Sequence, residues 1–525
     1  MDPTIHGPIG RPCLPQRSSV GISIPSSFSS AAAQPRQSCN RAAGAAAWAV
    51  AAVACGTQLA PGRRWPWGAK RALAAGCRGK RKVTRLAAEA EAEVVAGFVS
   101  ACSMAADFEQ AIEEVGEATG SGFEAGMAFI TESHLMQTQG LKAALEKLRQ
   151  RLGVRYLVGC ACPGAIGQAV GPDAVAYSGG MAGEDWPPIE VEKGTAVSVG
   201  LLRDAGATPF FLGADDSDTD LLNKRSSEKD VRSILLISDP FAPAEQAMKT
   251  LDELFPQAVK AGGISSALQV GTSDRLAYES SIAVASEGCP VRLCNKGLVG
   301  LLLTKVDVHT IVCQGCLGVG PAVKISSVRG PVCAGIGGHP APEAIRLIFS
   351  AVDPQTREKM KAFLTVGLGS VGQNETQVGD GDWLIRGISG VTPEGGLIIG
   401  DSIEEGQPMR FHVRDRESAE ADLALMLKRY RLERMFSDTG EAAGCMLFTC
   451  NGRGENLYGR RHVDARALAD AIGSAAGTRV AGFFCNGEMG SPGLAVPNMP
   501  EGGPAARGAV VHGFTAVFAV IVPHS

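Results

Sequence analysis

The sequence is poor in the features that most directly announce a function. Aromatic residues make up 5% of its 525 positions, too few to build platforms for stacking successive bases, so no nucleic-acid partner is expected. No GxxxxGK[ST] loop occurs, which removes the phosphate-cradling P-loop. GxGxxG spacing occurs at Gly367, Gly369 and Gly372, but "QNETQVGDGDW" follows it. A dinucleotide fingerprint needs a helix there, with its N-terminus facing the pyrophosphate, so no cofactor is expected. Cys313-Gln-Gly-Cys316 lacks the second cysteine pair of a zinc site and the helix start of a redox dithiol. No metal site is expected either. Histidines number eight in all.

Acids are missing from one stretch only. Residues 1–88 carry thirteen Lys/Arg and a single acid, Asp2. The whole chain is formally −4, so with +12 in this leader the remainder carries −16. Ser, Ala, Pro and Arg dominate, as in "RSSVGISIPSSFSSAAAQPRQS". Such a composition reads as a targeting leader that sends the protein to a plastid or another organelle; a cytoplasmic protein with a basic tail is the alternative. Its apolar run "AAGAAAWAVAAVACGTQLA" is mostly alanine and at the short end of the roughly 20 residues a span needs. No later run comes close, so no stable membrane anchor is expected. Of fifteen cysteines, four lie in the leader and the rest mostly inside apolar segments, the pattern of reduced, buried thiols rather than of a disulfide framework.

What is present is repetition. "EAGMAFITES", "GLKAALEKLRQRLG", "VRYLVGCACPGAIG" and "GTAVSVGLL" read as strand, helix, strand breaking into glycines, and strand. The order returns as "AAGCMLFTCNG", "DARALADAIGS", "TRVAGFFCNGEMG" and "HGFTAVFAVIV". At a shift of 323, Gly159 falls on Gly482, Cys162 on Cys485, Gly164 on Gly487 and Gly167 on Gly490. A looser copy, "SILLISDP", "PAEQAMKTLDELF", "AVKAGGISSA" and "GLVGLLL", lies between. Helices alternating with short strands predict an α/β (α+β) fold of mixed sheets packed with helices. The segment 321–440 differs: prolines precede a helix in "GGHPAPEAIRLIFSAV", strands flank an acidic turn in "GLIIGDSIEEGQPMRFHVRD", and "ESAEADLALMLKRYRLERMF" is an amphipathic helix. The expected division is a leader at 1–88 and domains at 95–320 and 321–525.

Polar groups gather at two predicted strand ends, "TCNGRGENLYG" and "FFCNGEMG". Glycines there let the backbone approach a small ligand. Arg453 suits a carboxylate, Glu488 an ammonium, and Asn451 and Asn486 an amide edge. Alternatively Arg453 and Glu488 simply pair. A thiol enzyme of acyl or amide chemistry is a second reading, with Cys485 or Cys316 as nucleophile and His512 or His462 as base. An interaction scaffold is a third, with the helix at 418–436 as its surface.

"VGCACPGAIG", "CQGCLGVGP", "GGHPAPEAI", "WLIRGISGV", "IGDSIEEGQPMRFHVRDRESAEADL", "LFTCNGRGENLYG" and "GFFCNGEMGSPG" resemble the FIST family (F-box and intracellular signal transduction) over roughly 95–525. The resemblance implies an N- and a C-terminal FIST domain and a sensory module for a small ligand, amino acids among the candidates. It puts Gln314, Gly315 and Cys316, then Arg414 and Asp415, Asn451 to Gly454, Cys485 to Gly490, and His512 and Gly513 on family motifs. Three positions depart from it: Leu317 and Gly337 replace an arginine and an acid, and Gly387 replaces the asparagine after Arg386. Those losses imply a more apolar ligand. No F-box is expected, because the leader's composition cannot supply that helical, leucine-rich unit.

Overall fold

The computed structural model describes residues 97–174, 187–213, 217–272, 275–436, 440–473, 477, 479–495 and 508–524. The basic leader, and with it the targeting expectation, lies outside the described residues.

The repeat is threefold. The first unit runs through strand Phe98–Ser103, helix Phe108–Thr119, strand Ala125–Thr131, helix Leu141–Leu152, and strands Tyr156–Cys162 and Val197–Leu202. The second is Ala207–Leu212, helix Thr219–Glu228, Ser233–Ser238, helix Ala244–Leu254, Val259–Ile264 and Leu298–Leu303. The third is Val306–Cys313, helix Arg416–Phe436, Gly444–Cys450, helix Val463–Ile472, Val480–Cys485 and Ala516–Pro523. In each, the second and third strands are parallel, the fourth lies antiparallel beside the second, and the first antiparallel beside the fourth. The looser central copy is therefore a complete unit.

Each unit also lends strands to another. Beyond its third strand, the chain breaks at glycine or serine and crosses to a different sheet. Ala165–Gly167 and Ile189–Val191 of the first unit extend the third unit's sheet beside Val480–Cys485. Glu488–Gly490 and Val510–His512 of the third extend the second's beside Val259–Ile264. Ile282–Ser286 and Arg292–Cys294 of the second extend the first's beside Tyr156–Cys162. The exchange closes on itself, so every main sheet depends on a neighbouring unit.

Burial follows the same plan. Inner sheet faces from all three units meet in one apolar core, where Phe129 stacks on Phe483 at 5.0 Å and meets Phe448 edge-on at 6.4 Å. Each outer face is covered by its own unit's helices. Leu141, Ala144, Leu145, Leu148 and Leu152 are buried on one side of their helix, the i, i+3, i+4 spacing of an amphipathic segment.

Between the first strand of the third unit and its helix, the chain inserts a second body. Strands Cys316–Arg329, Pro408–Arg414, Leu364–Leu368, Leu384–Val391, Leu397–Ile399 and Val332–Ile336 form a ring, closed because the bent strand Cys316–Arg329 pairs with both Pro408–Arg414 and Val332–Ile336. A barrel of this size is filled by its own side chains, here Val319, Ile325, Val366, Met409 and Phe411 among others. Helices Ala341–Ala351 and Pro354–Ala362 pack on it. Gly367 and Gly369 lie at the end of a barrel strand, with short 3₁₀ turns rather than a helix after them. Position 320 falls inside strand Cys316–Arg329, and the third unit's sheet combines strands from both sides of it.

Candidate functional site

Two chain crossings form the neck between barrel and threefold core: Gln314–Cys316 entering and Arg414–Asp415 leaving. Cys316 and Arg414 are register partners, and Asp415 N donates to Gly315 O at 3.4 Å. Gln314 is a strut. Its backbone N donates to Asp422 Oδ2 at 2.6 Å, and its Nε2 to the carbonyls of Gly381 and Trp383 at 3.1 and 2.9 Å. Asp415 caps the long helix Arg416–Phe436, accepting from Ser418 N at 2.8 Å, and is ion-paired to Lys359.

Arg414 is held in an unusual way. Its guanidinium carbon lies 5.7 Å from the ring centre of Phe363 and 5.6 Å from that of Phe514, while those rings meet edge-on at 5.3 Å. The same group lies over Gly452, where a Cβ would come within 2.2 Å of Nη1; a side chain there would push the guanidinium aside. Nε and Nη2 are buried without a hydrogen-bond partner among the described residues. Phe514 itself sits at φ 64°, a conformation rare for a bulky residue and retained only where the surroundings enforce it.

The two Cys-Asn-Gly strand ends do come together. Asn451 N donates to Cys485 O at 2.9 Å and Asn451 Nδ2 to Asn486 Oδ1 at 2.6 Å. Asn486 Nδ2 reaches Ser265 O of the second unit at 3.0 Å. Asn486 is exposed, and Asn451, Cys450, Cys316 and Arg414 are half-buried.

Glu488 turns inward instead. Fully buried, it accepts from Thr515 Oγ1 and N at 2.7 and 3.2 Å through Oε2, while Oε1 has no partner among the described residues. Burial raises its pKa to about 8, against the pull of Thr515, Arg453 and Arg414. The folded state therefore holds the proton more tightly than the unfolded chain. Stability falls as pH rises from about 4.5 towards 8 and levels above that. Glu488→Gln removes this slope, so between pH 5 and 8.5 the variant should lose less urea resistance than the native protein, by a few kcal/mol at most. Parallel profiles for the two proteins would show that Glu488 is ionised throughout.

Arg453 is not a surface clamp. It is wholly buried, with Nε and Nη2 each 2.8 Å from the Asp464 carboxylate, and Nη2 also meets Tyr458 Oη. Nor does it pair with Glu488; Asp464 Oδ2 takes a further 3.0 Å bond from Thr449. Burial outranked ligand contact because the Arg453 side chain turns under the loop onto Asp464, while Asn451 and Gly452 beside it stay half-buried. His512 bonds Gly490 O at 3.0 Å, and burial lowers it to about 4. Cys485 lies in the apolar core with its thiol against Phe483 O, and burial pushes it well above the usual thiol range. His462 Nδ1 accepts from Glu190 N at 2.8 Å. Neither proposed base is thus aimed at Cys485. Burial also raises Cys316 and Cys450 to about 11, although Arg414 pulls both down. Among the described residues no group of three or more His, Cys, Asp or Glu is placed to hold a metal ion.

Phe363, Phe514, Asp464 and Tyr458 were not singled out from sequence. A first-turn acid such as Asp464 reads as a helix-dipole partner, and nothing local ties either phenylalanine to Arg414. Two of the three family departures lie on the neck: Leu317, 38% exposed beside Cys316, and Gly387, where an added Cβ would meet nothing nearer than the Phe514 ring at 4.0 Å. Gly337 lies elsewhere on the barrel, near Val323.

Comparison with known proteins adds the family. The FIST N domain matches residues 124–339 and the FIST C domain residues 344–491. An uncharacterized protein of Mycobacterium tuberculosis (strain ATCC 25618 / H37Rv) is 30% identical over 337 residues, covering 63% of this chain and 80% of that protein. An uncharacterized protein of Mycobacterium bovis is 29% identical over 337 residues, 63% of this chain and 79% of its own. No helix among the described residues is long and apolar enough to cross a membrane. The chain belongs to the FIST family, whose domains are in general sensory modules of signal transduction.

Proposed function

We propose that this FIST protein senses a small polar metabolite, an amino or keto acid among the candidates, by binding its carboxylate at the neck between barrel and threefold core. The observation that carries the reading is Arg414. Nε and Nη2 form the side edge of the guanidinium fork, the pair of donors that fits a carboxylate bidentately. Both are buried and unpaired among the described residues, and an unmade hydrogen bond to a buried charged group is expensive. Two phenylalanine rings and Gly452 fix the fork in place, so little entropy remains to be lost on binding.

The neighbours supply the rest of the recognition. Asn451, its Nδ2 held by Asn486, lies next to Gly452 and the fork, and Cys316 and Cys450 flank the fork as neutral thiols. Glu488 and His512 support the wall from inside rather than touch the ligand, and Gln314 holds the neck. With Leu317 and Gly387 where the family carries polar side chains, the ligand's other end is apolar. Arg414 and Asp415 lead directly into the long helix, so occupancy at the neck acts on the helix cap.

Thermal-shift screening of the full chain against amino and keto acids and their uncharged amides tests the reading. Acids should stabilise and the matching amides should not. Arg414→Gln should weaken a hit by about 10- to 100-fold, and Arg414→Lys should recover little, because an ammonium cannot form the fork. A hit bound equally by Arg414→Gln, with native circular dichroism, would move the site elsewhere.

A further inference from the structure

The outward face of the long helix Arg416–Phe436 takes no part in the neck. Its inner residues Ala419, Leu423, Met426, Leu427 and Tyr430 are buried. Outside, Leu425, Leu432, Met435 and Phe436 are 63%, 47%, 75% and 85% exposed. Helical spacing sorts the exposed positions into two adjoining stripes, Ala424-Lys428-Arg431-Met435 and Leu425-Arg429-Leu432-Phe436. From Ala421 to Phe436, no exposed position carries an acid. In a chain that is −4 overall, so apolar and basic a face needs a reason.

Beside this face lies a trough. The helix Val463–Ile472 runs alongside in the same direction, and two hollows follow the seam. The larger, of about 700 Å³, has Leu423, Ala424, Val463 and Ala467 in its floor and Arg460, Arg461 and Arg466 around it. The smaller, of about 260 Å³, is formed by Met435, Ala471 and Ile472 with Arg431 and Arg434. Five arginines line the two hollows against two acids, Glu420 and Asp470. From Leu423 to Met435 the seam is about 18 Å long, three turns of helix.

We infer that this trough is a docking surface for an acidic amphipathic helix of a partner protein. Apolar anchors at i, i+3, i+4 and i+7 enter the hollows, and glutamates or aspartates meet the arginine rim, the helix-in-groove mode of recognition. Charge complementarity selects the acidic partner and excludes a basic one. Concavity favours a ridge of side chains over a flat lipid surface. Such a partner would complete a signalling module, since the trough lies on the helix that Arg414 and Asp415 begin.

The test uses the full chain and two fluorescein-labelled synthetic helices of about twelve residues, with leucines at the anchor positions and glutamates, or lysines, elsewhere. Fluorescence anisotropy should show the glutamate peptide binding at least about tenfold more tightly than the lysine peptide, and more weakly as salt rises. The double variant Arg431→Glu/Arg460→Glu, one change in each hollow, should cost about tenfold, and Met435→Ser should weaken binding with its salt dependence unchanged. Circular dichroism guards against misfolding of these exposed-site variants. Equal binding of the two peptides, binding of neither, or native affinity in the double variant overturns the inference. Co-sedimentation of the chain with phosphatidylglycerol vesicles, without peptide binding, would overturn it in favour of a lipid surface.

Discussion

Replacing Gly482 by alanine should destabilise the protein more than any comparable addition of one methyl group at the neck. Gly482 lies opposite Leu447 in the parallel pair at the centre of the third unit's sheet. A Cβ there would stand 1.9 Å from Leu447 O and 2.7 Å from its carbonyl carbon. Backbone cannot rotate aside as a side chain does, so two central strands must separate. The cost belongs at or above the upper end of the overpacking range, about 3 kcal/mol. Gly262 holds the same place in the second unit, with Leu236 O at 2.0 Å, and should behave alike. Gly159 in the first should cost less, because its closest obstacle is the Leu145 side chain at 2.5 Å and Ala128 O is 3.3 Å away. Gly387→Ala, with nothing nearer than 4.0 Å, is the control and should stay within about 0.5 kcal/mol of native. Urea midpoints for the four variants give the order. A Gly482→Ala midpoint no lower than that of Gly387→Ala would mean that the strands are not paired in this register.

That glycine also marks what could be read from sequence. The correspondence of Gly159 with Gly482, and of Gly167 with Gly490, is an equivalence of strand positions, and it survives because a side-chain-free residue is needed where strands approach closely. Helices such as Leu141–Leu152 were visible because burial on one face imposes a period. The arms were not. Ala165–Gly167 and Glu488–Gly490 are three residues long, too short to show alternation, and their partners lie in other units. Barrel closure was hidden for a related reason, as it depends on a long strand that shifts register between Val319 and Val323 and changes partner along its length.

At the neck, the sequence marked the two Cys-Asn-Gly loops but not the burial of Arg453. "CNGRG" sits at a strand end, so Arg453 looked available, but its counter-ion arrives eleven residues later at the start of a helix. Arg414 entered only through a family motif. Its aromatic flanks come from Phe363 and Phe514, on either side of it and far apart in the chain, and no local pattern links residues at such separations.

Cutting the buried ion pair under the neck should have the second large effect. Arg453→Met leaves the buried Asp464 with the Thr449 and Tyr458 hydroxyls as its donors and with Glu190 close by. Burial alone would push Asp464 up, and it is Arg453 that holds it below its ordinary value in the native protein. Glu190 is already raised to about 8 by burial and by Asp464, with Oε1 accepting from Ala465 N at 2.8 Å. Losing the cation should cost about 3–5 kcal/mol near neutral pH, the usual penalty for stranding one partner of a buried pair. Asp464→Asn should cost less, because Glu190, relieved of its neighbour, can ionise and serve Arg453 in its place. The sign of the pH dependence separates the two cases. With Asp464 held low, the native pair contributes stability above the unfolded carboxyl value and loses it as pH falls. In Arg453→Met the Asp464 value lies above the unfolded one, so that variant should recover more stability from pH 8 to pH 5 than the native protein, in which Asp464 stays ionised across that window, measured as urea midpoints. If Arg453→Met gained no more stability between pH 8 and pH 5 than the native protein does, Asp464 would not depend on Arg453, and the neck would rest on some other support.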